Sequence, residues 1–256
     1  FWDNQSSDNS AKIFKSYQDE RFCYFYSPQH TTLYKARNLA IEKTNGEFLA
    51  FLDTDDLWEE EKLNIQIPYF KNEEVGLVYS NLWVIKKNIN NKKIYIKKKL
   101  PSGKIYDKLL ENYNIGILTS VIRKTFFLDL DKKFDDNFMI IGDYDLFLRL
   151  SKISSFIGLQ EPLAYYRLHG ENLSTLNSDL EINEHESWLS FNKSHLSHIQ
   201  IQKIKKSINN RRFVNYKLAG KYRECLNILL DLKTNVLSIK NLILFFTPIV
   251  ILRELL

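Results

Sequence analysis

Along the chain the apolar positions switch between continuous or alternating runs, which predict strands, and a three-to-four-residue spacing, which predicts helices. Asp3-Asn4-Gln5-Ser6-Ser7-Asp8-Asn9-Ser10 is a polar turn leading into a helix that reaches about Tyr17. A short strand over Arg21 to Tyr26 and a helix over Leu33 to Asn45, ended by Gly46, come next. An apolar strand, Phe48 to Leu52, then runs into Asp53-Thr54-Asp55-Asp56, with a helix expected from Asp56 to about Phe70 and a strand from Val75 to Ile85. Further on, the pattern predicts a helix near Lys104 to Glu111, a strand over Ile117 to Ile122 and a loop at Phe134 to Phe138. After these it predicts a helix opened by Gly142-Asp143-Tyr144-Asp145 and a strand over Leu163 to Leu168. Leu146, Phe147, Leu150 and Ile153 form the apolar stripe of the Gly142 helix. The alternating β-α-β order predicts an α/β sheet covered by helices, and the helical pattern from Asp179 onward predicts a second module beyond a boundary near residue 178.

Length and composition add a core of useful size: 256 residues, 44% hydrophobic and 14% aromatic, make a globular chain rather than a disordered one. Cys23 and Cys225 lie far apart, without a CxxC or a histidine cluster, so neither a disulfide framework nor a zinc site is indicated and a cytoplasmic setting is expected. The net charge of +5 is exceeded by the lysines at 86, 87, 92, 93, 97, 98 and 99 alone. Those lysines flank Asn88-Ile89-Asn90-Asn91 and read as a solvated β-hairpin. With no aromatic stacking platform or recognition helix beside them, a nucleic-acid partner is not expected. The tail from Val236 to Leu256 contains an apolar run, Leu242 to Leu252, that Pro248 interrupts and that is shorter than the roughly 18 to 20 residues a membrane span requires. Packing on neighbouring helices is expected there, with peripheral contact at a membrane surface as the alternative.

The most informative feature is the acidic end of the Phe48–Leu52 strand. Three carboxylates within four positions repel one another and favour a compensating cation. Hard oxygen donors that leave room for water and phosphate suit Mg²⁺ or Mn²⁺ rather than zinc. In open α/β sheets, ligands lie outside the carboxyl ends of the strands, where this cluster falls. The competing reading is an acidic first turn of a helix, since Asp55, Asp56, Glu59 and Glu60 would complement its dipole.

Four segments stand in order: Asp3-Asn4-Gln5-Ser6-Ser7-Asp8, Ala36-Arg37-Asn38, Asp53-Thr54-Asp55-Asp56, and Gly142-Asp143-Tyr144-Asp145-Leu146-Phe147-Leu148-Arg149-Leu150. Together they resemble the family 2 glycosyltransferases, inverting enzymes of the GT-A fold. Tyr166-Arg167-Leu168-His169, followed by Asn172 and Ser174, is similar to the segment that closes that domain. The resemblance implies a GT-A (Rossmann-like) mixed sheet flanked by helices over residues 1–178, lacking its first strand and helix, and a small C-terminal helical region over 179–256. It also implies transfer of a sugar from a nucleotide-diphosphate donor, with uridine diphosphate the expected carrier, to a glycan or lipid-linked acceptor in polysaccharide or glycolipid synthesis. Work at the inner face of a membrane is compatible with it.

By the same resemblance, Asp3 and Asn4 hold the nucleotide base, Arg37 meets the diphosphate region, and Asp53 reaches the ribose or the sugar. Asp55 and His169 bind a divalent cation, and Asp143 is the catalytic base. Each position also has a plainer reading: Asp3 as a cap of the first helix, Arg37 as a surface helix residue, Asp143 as a helix N-cap, His169 as a hydrogen-bonded structural residue and Trp58 as core. The chain departs from the pattern in Gly142, where the family carries glutamate, in Asn4, where a second aspartate is frequent, and in a start at Phe1-Trp2-Asp3 that reads as the tail of a strand. Two other readings compete: a degenerate domain that binds nucleotide sugars without turning them over, and a haloacid-dehalogenase-like phosphatase, whose motif Leu57 breaks.

Overall fold

A computed structural model of the chain describes residues 1–86, 89–230 and 239–249. The chain divides into two compact units, one formed by Phe1–Ile105 with Ile115–Leu168, the other by Tyr106–Asn114 with the described part of His169–Leu256.

In the first unit, β1 (Trp2–Asp3) and β2 (Phe25–Tyr26) make a parallel pair. The remaining strands are β3 (Phe48–Ala50), β4 (Leu57–Trp58), β5 (Val75–Ile85), β6 (Lys92–Ile94), β7 (Val121–Arg123) and β8 (Ser155–Arg167). They form one mixed sheet in the order β3-β7-β5-β8-β4. β5 runs parallel to β8 on one edge, and on the other it meets β7 and β6, both antiparallel. Because both its faces are covered, β5 is a nearly unbroken apolar run with Leu77, Val78, Tyr79 and Ile85 fully buried. Phe70, Val75, Val78 and Val121 build one part of the core and Leu82, Leu118 and Ala164 another. Trp58 packs on the second, and its indole nitrogen donates to the Leu118 carbonyl at 2.8 Å, as expected of a core side chain.

Helices α1 (Ser10–Ser16), α2 (Leu33–Glu42), α3 (Lys62–Gln66), α5 (Lys124–Leu128) and α6 (Gly142–Ile153) flank the strands. On α2 the buried Tyr34, Arg37 and Ile41 share one stripe at helical spacing. α6 is buried nearly all round, taking in Tyr144 and Leu148, while Ile153 of the expected stripe is exposed.

Several elements differ from the sequence expectation. The helix expected from Asp56 begins only at Lys62, because Leu57 and Trp58 pair with Tyr165 and Ala164 of β8. Pro68 lacks the amide that would continue α3, so the chain tightens into a 3-10 turn over Ile67–Lys71. β8 starts eight residues earlier than expected, at Ser155, because it follows β5 along its whole length. A register shift near Pro162 lets that strand carry a residue without an amide donor. Only Phe25 and Tyr26 of the expected Arg21–Tyr26 strand are paired, and Ile117–Thr119 is a 3-10 turn ahead of β7. The β5–β6 hairpin carries the lysine cluster, with Lys92 over the Trp83 ring at 4.5 Å, while Lys87 and Asn88 of its expected turn lie outside the described residues.

The second unit is helical. It comprises α4 (Tyr106–Glu111), α7 (Leu173–Leu176), α8 (Ser178–Asn192), α9 (His198–Leu218), α10 (Tyr222–Leu230) and α11 (Ile239–Phe246). Ser197 and Gln200 close a reciprocal capping box at the start of α9. Phe213, Cys225 and Leu229 form its core, with Leu244 and Phe245 of the apolar tail packed against them. Phe246 on the same helix stays 75% exposed. Val236 to Ser238 and the tail from Val250 lie outside the described residues, among which no helix is long and apolar enough to cross a membrane.

Candidate active site

The acidic turn after β3 is held from two sides. Arg37 of α2 directs one guanidinium nitrogen at both oxygens of Asp53, at 2.9 and 2.8 Å. The arginine side chain is only 10% exposed against 44% for the aspartate, so the guanidinium is buried and the carboxylate faces outward. Burial alone would lower the Arg37 pKa, but the charge of Asp53, followed by Tyr34 and Asp143, raises it. Arg37 is therefore a fixed cation rather than a surface helix residue. Its guanidinium lies 5.5 Å from the Tyr34 ring and 5.9 Å from the Phe51 ring, which fill the space around it.

From the other side, the Asp56 carboxylate accepts from the Arg167 amide at 2.9 Å, and Arg167 Nε donates to the Asp55 carbonyl at 2.9 Å. These bonds pin the turn to the end of β8. Burial pushes the Asp56 pKa up to about 7; the Arg167 amide opposes this, and the charges of Asp55 and Asp53 add to it. Sequence reasoning grouped Asp56 with the other two carboxylates, whereas it is buried and structural. No local signal marks this, because the partner of Asp56 is a backbone amide of β8 more than a hundred residues away.

The start of the unit is equally well tied. Asp3 is buried and accepts from the Ser6 amide at 2.7 Å and from the Tyr24 hydroxyl at 2.6 Å. Burial would raise its pKa, but the Tyr24 and Ser6 bonds and the charge of Lys15 outweigh it, leaving the pKa lowered. Asn4 spends its side chain on Thr31, donating to its carbonyl at 2.8 Å and accepting from its amide at 3.2 Å. Directly after Asn4, Gln5 takes a positive φ of 70°, a conformation costly for a side chain other than glycine and concentrated at functional turns. Asp3 does not cap α1, where the preceding Asn9 stands at the N-cap.

Asp143 is half-buried in the first turn of α6, one residue inside Gly142 and with Ile141 at the N-cap, so it is not the cap itself. Its Oδ1 accepts from the Tyr144 amide at 2.9 Å and lies 3.2 Å from the Tyr34 hydroxyl. The glutamate of the family pattern has no room at 142, because a Cβ there would lie 2.6 Å from two ring carbons of Tyr34. Asn38 supports the same corner by exchanging two hydrogen bonds with the Phe134 backbone, at 2.9 and 3.1 Å. Arg37, Asp53 and Asp143, with Tyr34 among them, thus form one electrostatic group drawn from three distant motifs.

His169 is the first residue of the second unit. Its amide donates to Asn172 Oδ1 at 2.6 Å, its Nδ1 lies 3.2 Å from the Glu171 amide, and its Nε2 lies 3.2 Å from Asn172 Nδ2. Its ring is thus engaged within its own loop.

Among the described residues, no group of three or more His, Cys, Asp and Glu side chains is arranged to hold a metal ion. Mg²⁺ and Mn²⁺ are commonly held by one or two carboxylates plus substrate phosphates. The half-buried carboxylate of Asp55 fits that mode of binding, whereas both oxygens of Asp53 already accept from Arg37.

Comparison with known proteins bears on the family and the fold. A family model described as "Glycosyl transferase family 2" matches residues 1–144. The UDP-Glc:alpha-D-GlcNAc-diphosphoundecaprenol beta-1,3-glucosyltransferase WfgD of Escherichia coli is 33% identical over 175 residues, or 68% of this chain and 66% of that protein. The putative teichuronic acid biosynthesis glycosyltransferase TuaG of Bacillus subtilis (strain 168) is 28% identical over 176 residues, 68% of each chain. The match to an uncharacterized glycosyltransferase of Rickettsia bellii spans only 25% of that protein. Among solved structures, S. aureus TarS 1-349 in complex with UDP-GlcNAc superposes with a TM-score of 0.62 at 14% identity, covering 89% of this chain and 69% of that one. The last likeness carries the GT-A fold, a mixed sheet flanked by helices. The phosphatase reading is left without support. With more than half of its length matched by the family model, the chain belongs to glycosyl transferase family 2.

Proposed function

We propose that this chain transfers a sugar from a uridine-diphosphate donor to an acceptor hydroxyl, with inversion, in the synthesis of a lipid-linked or cell-surface polysaccharide. The observation that carries the reading is the group formed by the buried Arg37, the outward-facing Asp53 and Asp143 in the first turn of α6. The donor named for WfgD and the UDP-GlcNAc bound by TarS support a UDP-linked donor, and the diphosphoundecaprenol acceptor named for WfgD supports a lipid-linked acceptor.

In this reading the acceptor O–H gives its proton to the Asp143 carboxylate as its oxygen bonds to the anomeric carbon. The bond from that carbon to the diphosphate oxygen breaks on the opposite face, and its electron pair leaves with the nucleotide diphosphate. Arg37 supplies a fixed positive charge toward the leaving diphosphate, and Asp53, oriented by Arg37, meets the ribose or the sugar. Asp3 and Asn4 shape the base-binding turn. Asp55 would hold Mg²⁺ or Mn²⁺, with His169 as a second ligand only if its ring leaves Glu171 and Asn172; the cation's chemistry is to neutralise charge on the diphosphate.

The test is a thermal-shift series with UDP, UDP-glucose and UDP-N-acetylglucosamine, with and without Mn²⁺, since a ligand that binds only the folded state raises its apparent stability. A Mn²⁺-dependent rise in Tm, accompanied by slow UDP release and lost in Asp55→Asn, is expected. A rise without any UDP release under any acceptor condition would favour a degenerate binding domain, and no rise at all would sink the proposal.

A further inference from the structure

The Tyr34 ring covers Gly142 so closely that a Cβ at 142 would lie 2.6 Å from its Cδ2 and Cε2 and 2.7 Å from its Cγ. At that distance no side chain at 142 coexists with the ring where it stands. The ring is fixed on its other sides as well: it stacks on Phe134 with centroids 5.4 Å apart, and the Arg37 guanidinium lies 5.5 Å from its centroid. Only 2% of Tyr34 is exposed. Its hydroxyl emerges between the Ile140 carbonyl oxygen at 2.7 Å and Asp143 Oδ1 at 3.2 Å, one proton serving both acceptors. Burial and the Asp143 charge raise the Tyr34 pKa well above the ordinary phenol value, so the hydroxyl keeps that proton at any physiological pH.

Resting on the function proposed above, we infer that Tyr34 is a positioning residue for Asp143 and that Gly142 is the space its ring requires. The hydroxyl ties the carboxylate to the Ile140 backbone just ahead of α6, while the Tyr144 amide holds the same oxygen from within the helix. Two donors converging on Oδ1 fix the rotation of the carboxyl group. Through Arg37, on the same face of α2, the arrangement also couples the orientation of the base to the cation expected at the diphosphate. The aromatic ring and the missing side chain therefore act as a pair: an enlargement at 142 displaces the ring, and loss of the hydroxyl releases the carboxylate.

The test uses the whole chain with the UDP-sugar that the wild type turns over. Tyr34→Phe keeps the ring and removes the hydroxyl. It is expected to lower kcat by about 10- to 100-fold, as misplacement of a reacting group does, while donor KM stays within about twofold. Gly142→Ala leaves both side chains chemically intact but moves the ring, and should give the same split between kcat and KM; it stands in if Tyr34→Phe fails to fold. Unchanged kcat in Tyr34→Phe, or parallel changes of kcat, KM and Tm in both variants, overturns the inference and leaves the proposed function standing. A wild type that binds UDP-sugars and never turns them over overturns both.

Discussion

The two units arrange their ion pairs differently, although both bury charge, the second enclosing Lys217, Glu184 and His185. In the first, charged groups are drawn inward and joined across long stretches of chain: Arg37 to Asp53, Asp56 to the Arg167 amide, and Asp143 to a tyrosine 109 positions away. In the second, the pairs run between neighbouring helices at their margins: Arg211 of α9 with Glu181 of α8, Arg212 with Glu186 at 2.7 Å, and Lys203 with Glu111 of α4 at 3.2 Å. Pairs of the second kind contribute modestly to stability and are tolerant of change. Groups of the first kind are costly to bury and persist where they serve a ligand or a reaction. The contrast separates a unit built around a site from one built around helix packing.

The largest expected effect sharpens that contrast at its centre. Asp143→Asn preserves shape and hydrogen bonding to the Tyr144 amide but cannot take a proton, so turnover should fall by roughly 10² to 10⁴. The Mn²⁺-dependent thermal shift with UDP-sugars should remain, because the donor contacts assigned to Arg37, Asp53 and Asp55 are untouched. Steady-state UDP release beside the thermal shift checks both halves, and full turnover in Asp143→Asn would remove the base assignment.

What the sequence made legible follows from locality. β5 reads directly from its run of Val75 to Ile85, and the start of α6 from Gly142 and Asp143. The acidic strand end was legible as chemistry because clustered carboxylates favour a cation, whereas Arg37 was legible only through the family resemblance, and its bond to Asp53 was not foreseen. The rest depended on distant contacts. Leu57 and Trp58 carry no pattern that announces pairing with Tyr165 and Ala164, so the local helical signal prevailed. Tyr34 and Tyr24 looked like ordinary aromatic positions, since nothing local tells that one hydroxyl meets Asp143 and the other Asp3. Gly142 was legible as a departure from the family pattern, but its cause, the ring of Tyr34, was not.

A second experiment asks whether burial of charge in the first unit always marks the site. Lys62 is 1% exposed, donates to Gln66 Oε1 at 2.6 Å and lies 4.6 Å from the Trp58 ring, and burial lowers its pKa to about 7. In the unfolded chain it titrates near 10.5, so between pH 7 and 10.5 the unfolded state binds more protons and stability rises with pH. The cost of burying the ammonium is absent above that window, grows as pH falls through it, and is fully present below about pH 7. Lys62→Met should therefore stabilise the protein at neutral pH by about 2–4 kcal/mol, with the gain shrinking toward pH 10. Denaturant titrations at pH 7 and pH 10 measure it. An equal effect at both pH values would mean that Lys62 is charged throughout, and that this buried cation belongs with the site after all.

The smallest effect tests the second unit. Glu181 is held by Arg211 and lies 3.8 Å from His185 Nε2. Burial acts to raise its pKa, but the His185 and Arg211 interactions outweigh that and leave it lowered. A carboxylate with a lowered folded pKa contributes stability above its unfolded value near 4.5, and that contribution is lost as pH falls through the folded value. Arg211→Ala should cost about 1 kcal/mol at neutral pH, less than a fully buried pair because both side chains are partly solvated. It should also reduce the loss of stability on acidification below about pH 4.5. Turnover per folded molecule should not change, and a loss of kcat at unchanged stability would show that the helical unit takes part in the chemistry and that the division of labour drawn from charge placement is wrong.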